Sequence, residues 1–141
     1  MTQHDTVLAA SEAFYSALNS VFNNDPDPMR DVWLHSDDVT AMRPNGGREV
    51  GWDALWLAWK TVADVFEGGA VEMTDRVVFT SGDFAYEIGL EKGTFYPGGT
   101  QVDVAHRATN VFRRVEGSWK IIHHHTDKSD GAIAVFQSLD S

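Results

Sequence analysis

The apolar residues of this chain change their period once, near residue 70, and that change bounds the fold more tightly than any other feature. Before it they recur at steps of three and four. Val7, Leu8, Phe14, Tyr15, Leu18, Val21 and Phe22 form one stripe, and Trp52, Leu55, Trp56, Trp59, Val62, Ala63 and Phe66 form another. The first predicts a helix over about residues 4–23, stopped by Asn23-Asn24-Asp25-Pro26-Asp27-Pro28. Asp27 and Pro28 suit the cap and first turn of a short second helix carrying Met29, Val32, Trp33 and Leu34. Val39 to Arg43 reads as a short strand closed by the turn Pro44-Asn45-Gly46-Gly47, and Gly68-Gly69 as the stop of the third helix.

Beyond residue 70 the period is two. Val71–Thr80, Phe84–Phe95, Thr100–Val115 and Ser118–Thr126 read as strands separated by Ser81-Gly82-Asp83, Pro97-Gly98-Gly99 and Glu116-Gly117. Helices first and hairpin-linked strands afterwards predict an α+β fold, with three N-terminal helices on one face of a curved antiparallel sheet. A bent sheet closing over helices makes a cone, and a cone holds a pocket. The apolar tail, Ala132 to Leu139, is expected to cover the pocket mouth or a subunit contact.

At 141 residues the chain is expected to be a single domain, with a core over about 4–128 and a tail over 129–141. No cysteine is present, which excludes disulfide scaffolds, thiolate metal sites and cysteine nucleophiles. The net charge of −10 repels phosphate backbones and anionic lipid, so neither nucleic acid nor membrane is expected as a partner. No apolar run approaches the roughly 20 residues of a membrane span, and Met1-Thr2-Gln3-His4-Asp5 lacks a secretory pattern, so the expected location is the cytoplasm. Phosphate-binding glycine loops and nucleophile elbows are missing, and no cofactor is expected.

The order of elements and three segments carry a resemblance. They are Trp33-Leu34-His35-Ser36-Asp37-Asp38-Val39-Thr40, Gly47-Arg48-Glu49-Val50-Gly51-Trp52, and Asn110-Val111-Phe112-Arg113-Arg114-Val115-Glu116-Gly117-Ser118-Trp119-Lys120-Ile121-Ile122-His123-His124-His125. They resemble the SnoaL-like and ketosteroid-isomerase-like branch of the nuclear transport factor 2-like superfamily. The last segment is also similar to the association domain of calcium/calmodulin-dependent kinase II. The resemblance implies the cone fold but not one activity, since such folds host isomerases, cyclases, dehydratases, hydrolases and binding domains. It puts Arg43 where ketosteroid isomerases carry an aspartate base, and a guanidinium cannot accept a proton. It also puts Asn110 at the position of the oxyanion-binding aspartate, and Tyr15 near that of the hydrogen-bonding tyrosine.

Alternation groups His124 with Ile122 and Thr126, and His106 with Asn110. The hairpin match turns both faces to the pocket. His124, His106, Asn110 and Tyr15 are therefore the candidate catalytic residues, with the imidazoles moving a proton and Asn110 and Tyr15 holding an oxygen. Trp56, Trp59, Ile122, Thr126 and Arg43 are the candidate ligand-binding residues, and an inward Arg43 would favour an anionic ligand such as a carboxylate. His123 and His125 fall on the opposite face with Trp119 and Ile121, where a second subunit is expected. Two imidazoles are too few for a metal site, so none is expected. The sequence thus predicts a homodimeric small-molecule pocket protein, acting without a cofactor as an isomerase, cyclase or dehydratase on an apolar, carbonyl-bearing metabolite. A non-catalytic binding or assembly module is the alternative, and an epoxide-hydrolase-like hydrolase a second.

Overall fold

The computed structural model describes residues 6–139. Thr6 caps the first helix, α1 (Val7–Phe22), by accepting a hydrogen bond from the Ala9 amide, and the helix ends at Asn23. The predicted start at residue 4 lies outside the described residues. A single turn, α2 (Met29–Val32), follows the proline cluster. Strands β1 (Thr40–Arg43) and β2 (Gly46–Val50) form a hairpin, so residues expected as a simple turn begin a strand instead. Helix α3 (Trp52–Val65) then leads into four long strands, β3 (Phe66–Ser81), β4 (Phe84–Pro97), β5 (Val102–Val115) and β6 (Ser118–Thr126). A fourth helix, α4 (Asp130–Leu139), closes the chain.

The strands make one unclosed six-stranded sheet in the order β2-β1-β6-β5-β4-β3. Its pairings are antiparallel except β1 with β6, which run parallel, so the sheet is mixed rather than wholly antiparallel. Phe14, Leu18, Val21 and Phe22 of α1 and Leu55, Trp59, Val62 and Ala63 of α3 are buried in one core with Phe95, Phe112 and Ile121 from the sheet. No helix among the described residues is long and apolar enough to cross a membrane.

Bulges bend the sheet. In β3 the register slips between Phe66 and Gly69 and again between Thr74 and Val77. Gly68 and Gly69 lie inside β3 rather than capping α3, because the helix already ends at Val65 and the chain turns directly into the strand. Gly69 has φ +138°, and a Cβ there would stand 2.6 Å from Phe95 Cα. Only glycine permits so close a crossing of two backbones. Gly69→Ala is expected to destabilise the fold by about 2 kcal/mol or more, read as a lower urea midpoint.

Candidate active site

A row of polar side chains crosses the inner face of the sheet. Strand register sets Glu87 of β4 opposite Asn110 of β5, and Asn110 opposite His124 of β6. All three are fully or nearly fully buried. Four residues further along β4, on the same face, Glu91 pairs with His106. Helix α1 contributes Ser11 and Tyr15, one turn apart, over the same row.

The hydrogen bonds of the row fix one another. Glu87 Oε1 accepts from Ser11 Oγ at 2.6 Å and from Asn110 Nδ2 at 2.9 Å. Asn110 Nδ2 also donates to the Tyr15 hydroxyl at 3.0 Å, and that hydroxyl donates to Glu91 Oε2 at 2.8 Å. Turning the amide over would set its oxygen against the Glu87 carboxylate, so the NH₂ must face Glu87. The Asn110 oxygen therefore faces His124 Nδ1, 2.6 Å away, and accepts a hydrogen bond from it. His124 is thus protonated at Nδ1, and Nε2 is left with a free lone pair. Arg76 Nε lies 3.0 Å from Glu87 Oε2 and offsets that buried acid.

His124 lines a narrow inner cavity with Glu91, Trp59, Arg43, Phe95 and Phe136. Ala132 and Phe136 of α4 form part of its wall, and the cavity of about 30 Å³ has room for roughly two waters. His124 Nε2 stands 3.8 Å from Glu91 Oε2. Burial pushes the His124 pKa down to about 4, and the Glu91 charge only partly opposes this. Tyr15 is pushed far up by burial and by Glu91, so its hydroxyl keeps its proton.

The structure brings Tyr15, His106, Asn110 and His124 around Glu91 and Glu87. Asn110 and Tyr15 do not line the cavity, because their donors are taken by Glu87, Tyr15 and Glu91. Through these bonds Asn110 and Tyr15 orient His124 and Glu91. His106 Nδ1 is 3.9 Å from Glu91 Oε1, behind the cavity wall. Arg43 and Trp59 do line it, whereas Trp56 lies outside, stacked on Trp52 beneath Arg30. Ile122 and Thr126 are also absent from the wall. The reason for Ile122 is a bulge in the β5–β6 pairing, where Val111 opposes His123 but Phe112 opposes Ile121. The inward sequence is Ile121 then His124, so Trp119 and Ile121 join the core and leave the outer face to His123 and His125. Glu87 and Glu91 were not anticipated, although they alternate in register with Ala85 and Phe95.

The SnoaL-like domain profile matches residues 7–126. The chain belongs to the SnoaL-like domain family. No curated protein matches the sequence. Among solved structures, this SnoaL-like chain is similar to a candidate dehydratase of the NTF2-like family from Streptomyces avermitilis. The two are 26% identical over 87% of this chain and 93% of that one, with a TM-score of 0.77. It is also similar to a candidate calcium/calmodulin-dependent protein kinase type II association domain from Thiobacillus denitrificans (23%, 92% and 100%, TM-score 0.75). A candidate ketosteroid isomerase from Shewanella frigidimarina shares the fold at 15% identity (84% and 94%, TM-score 0.65).

The lowered His124 pKa has a stability consequence. The unfolded chain binds a proton at this residue below about pH 6.5, while the folded chain resists it down to about pH 4. Stability should therefore fall as pH drops through that window. His124→Leu is expected to make the slope of unfolding free energy against pH shallower there by up to about 1.4 kcal/mol per pH unit, measured by urea titration.

Proposed function

We propose that this SnoaL-like protein binds an apolar, carbonyl-bearing small molecule in the inner cavity, widened as Ala132 and Phe136 of α4 move aside, and moves a proton on it without a cofactor. One observation carries the reading. A neutral imidazole, fixed in one tautomer, presents an unpaired Nε2 to an apolar cavity beside an acid. His124 Nε2 takes a proton from the carbon next to the carbonyl, and the Glu91 charge steadies the imidazolium that forms. Arg43 Nε and Trp59 Nε1 are buried donors without hydrogen bonds on residues of the same wall, and they suit the carbonyl oxygen as it gains charge. Return of the proton elsewhere gives isomerisation; alternatively the carbanion forms a C=C bond as a β-hydroxyl leaves, taking the proton from His124 Nε2 as water, which gives dehydration. Attack of the carbanion on a second carbonyl gives cyclisation. The likeness to a candidate dehydratase supports this class of chemistry.

The test needs no natural substrate. In D₂O the protein is expected to accelerate exchange of the α-protons of 4-phenylbutan-2-one by about 10² or more, with His124→Ala removing the effect. Equal exchange in both proteins, with the ketone bound by both, would make this a non-catalytic binding module.

The outer face of the sheet supports a second copy as partner. Val77 and Phe79 of β3 pair with Ile88 and Tyr86 of β4, and all four are exposed. On a chain of charge −10, this apolar stripe is where two copies approach with least repulsion, as a two-fold interface requires. Ile88→Glu is expected to convert a dimer to a monomer in light scattering. A wild-type monomer at micromolar concentration would refute the association.

A further inference from the structure

Two buried polar atoms, one on a residue of the cavity wall and one on its neighbour in the outer groove, have no hydrogen bond. Arg43, the last residue of β1, meets Glu49 of β2 through one contact, Nη2 to Oε1. Arg43 Nε and Glu49 Oε2 are left buried without hydrogen bonds. The two side chains are only 11% and 16% exposed. A guanidinium and a carboxylate can meet through two parallel bonds. Here they use one, and a buried donor and a buried acceptor remain unpaired on the same two side chains, a costly arrangement unless something completes it.

The pair stands where two spaces meet. Arg43 lines the inner cavity beside His124 and Trp59, and with Glu49 it lines an outer groove against α3. Asn45, Val62 and Phe136 border both. Charge then decides what this junction can receive. Arg43 is the one arginine or lysine among the described residues lining the cavity, and Glu49 already takes its charge. The acid Glu91 shares the cavity, and burial keeps His124 neutral. An entering carboxylate would meet the Glu91 field with no free cation to offset it. The expectation that an inward Arg43 favours an anion is therefore reversed by its neighbour on β2.

We propose that Glu49 sets the charge specificity of the cavity: the Arg43–Glu49 pair receives an uncharged head that accepts from Arg43 Nε and donates to Glu49 Oε2, and turns carboxylates away. A hydroxyl beside a carbonyl, or a primary amide, has this chemistry. The assignment rests on the reading of the cavity as the ligand site.

Three probes of nearly equal shape separate the possibilities: 3-phenylpropanamide, which donates and accepts; 4-phenylbutan-2-one, which only accepts; and 3-phenylpropanoate, an anion. Each is titrated into the full chain at pH 7.5 and followed by tryptophan fluorescence and calorimetry. In the wild type the amide is expected to bind at least about ten-fold tighter than the propanoate, with the ketone between them. Glu49→Gln frees the Arg43 charge and is expected to raise propanoate affinity relative to the amide by about ten-fold or more. Propanoate binding as tightly as the amide in the wild type would overturn the proposal, and this ranking depends on no variant. An unchanged preference in folded Glu49→Gln would overturn the role of Glu49. Failure of all three probes to bind would remove the cavity reading itself, a result distinct from a preference for the anion.

Discussion

The orientation of one buried amide governs the interior of this protein. Asn110 has two N–H groups and one oxygen within reach of partners, and Glu87 decides which way they face. A carboxylate can only accept from the amide, so the Asn110 oxygen is left for His124, and the imidazole proton must sit on Nδ1. The lone pair at the cavity is thus a consequence of a glutamate in the same row, two strands away in the sheet. Glu87 is itself tolerated in the core because Ser11, Asn110 and Arg76 surround it.

Packing delivers these groups with little freedom. Ser11 and Tyr15 are one helical turn apart on α1, and Glu87 and Glu91 are four residues apart on one face of β4. Two periodicities therefore present matching pairs to one another, and each hydroxyl finds a carboxylate. Phe14 lies between Ser11 and Tyr15 in sequence, and its ring packs against Tyr15, Trp33, Trp59 and His124. Burial of His124 in this core keeps its ring neutral.

Much of this was legible in the sequence. The 3.6-residue stripes locate α1 and α3, and the alternation after residue 70 locates four strands, with β6 matching its expected bounds. Two kinds of information were not local. The parallel pairing of β1 with β6 is a long-range choice that no periodicity records, and β2 hides behind a glycine pair that also suits a turn. A bulge is equally silent. Strict alternation through Ile121-Ile122-His123-His124 puts Ile122 on the wall, and one extra residue there shifts the parity and removes it. Glu87 and Glu91 show the opposite case. Their alternation with Ala85 and Phe95 was visible, but acids in a strand read as solvent-facing until hydroxyls on a helix supply their partners.

The claim on which the chemistry rests is the protonation of one ring, and ¹⁵N NMR of the histidine side chains reads it directly. Long-range ¹H–¹⁵N correlations distinguish a pyrrole-like nitrogen from a pyridine-like one. Between pH 5.5 and 8 the His124 ring is expected to be neutral, with its proton on Nδ1 and Nε2 bare. A proton on Nε2, or an imidazolium across that range, would contradict the hydrogen-bonded order from Glu87 through Asn110 to His124 and the proton transfer built on it.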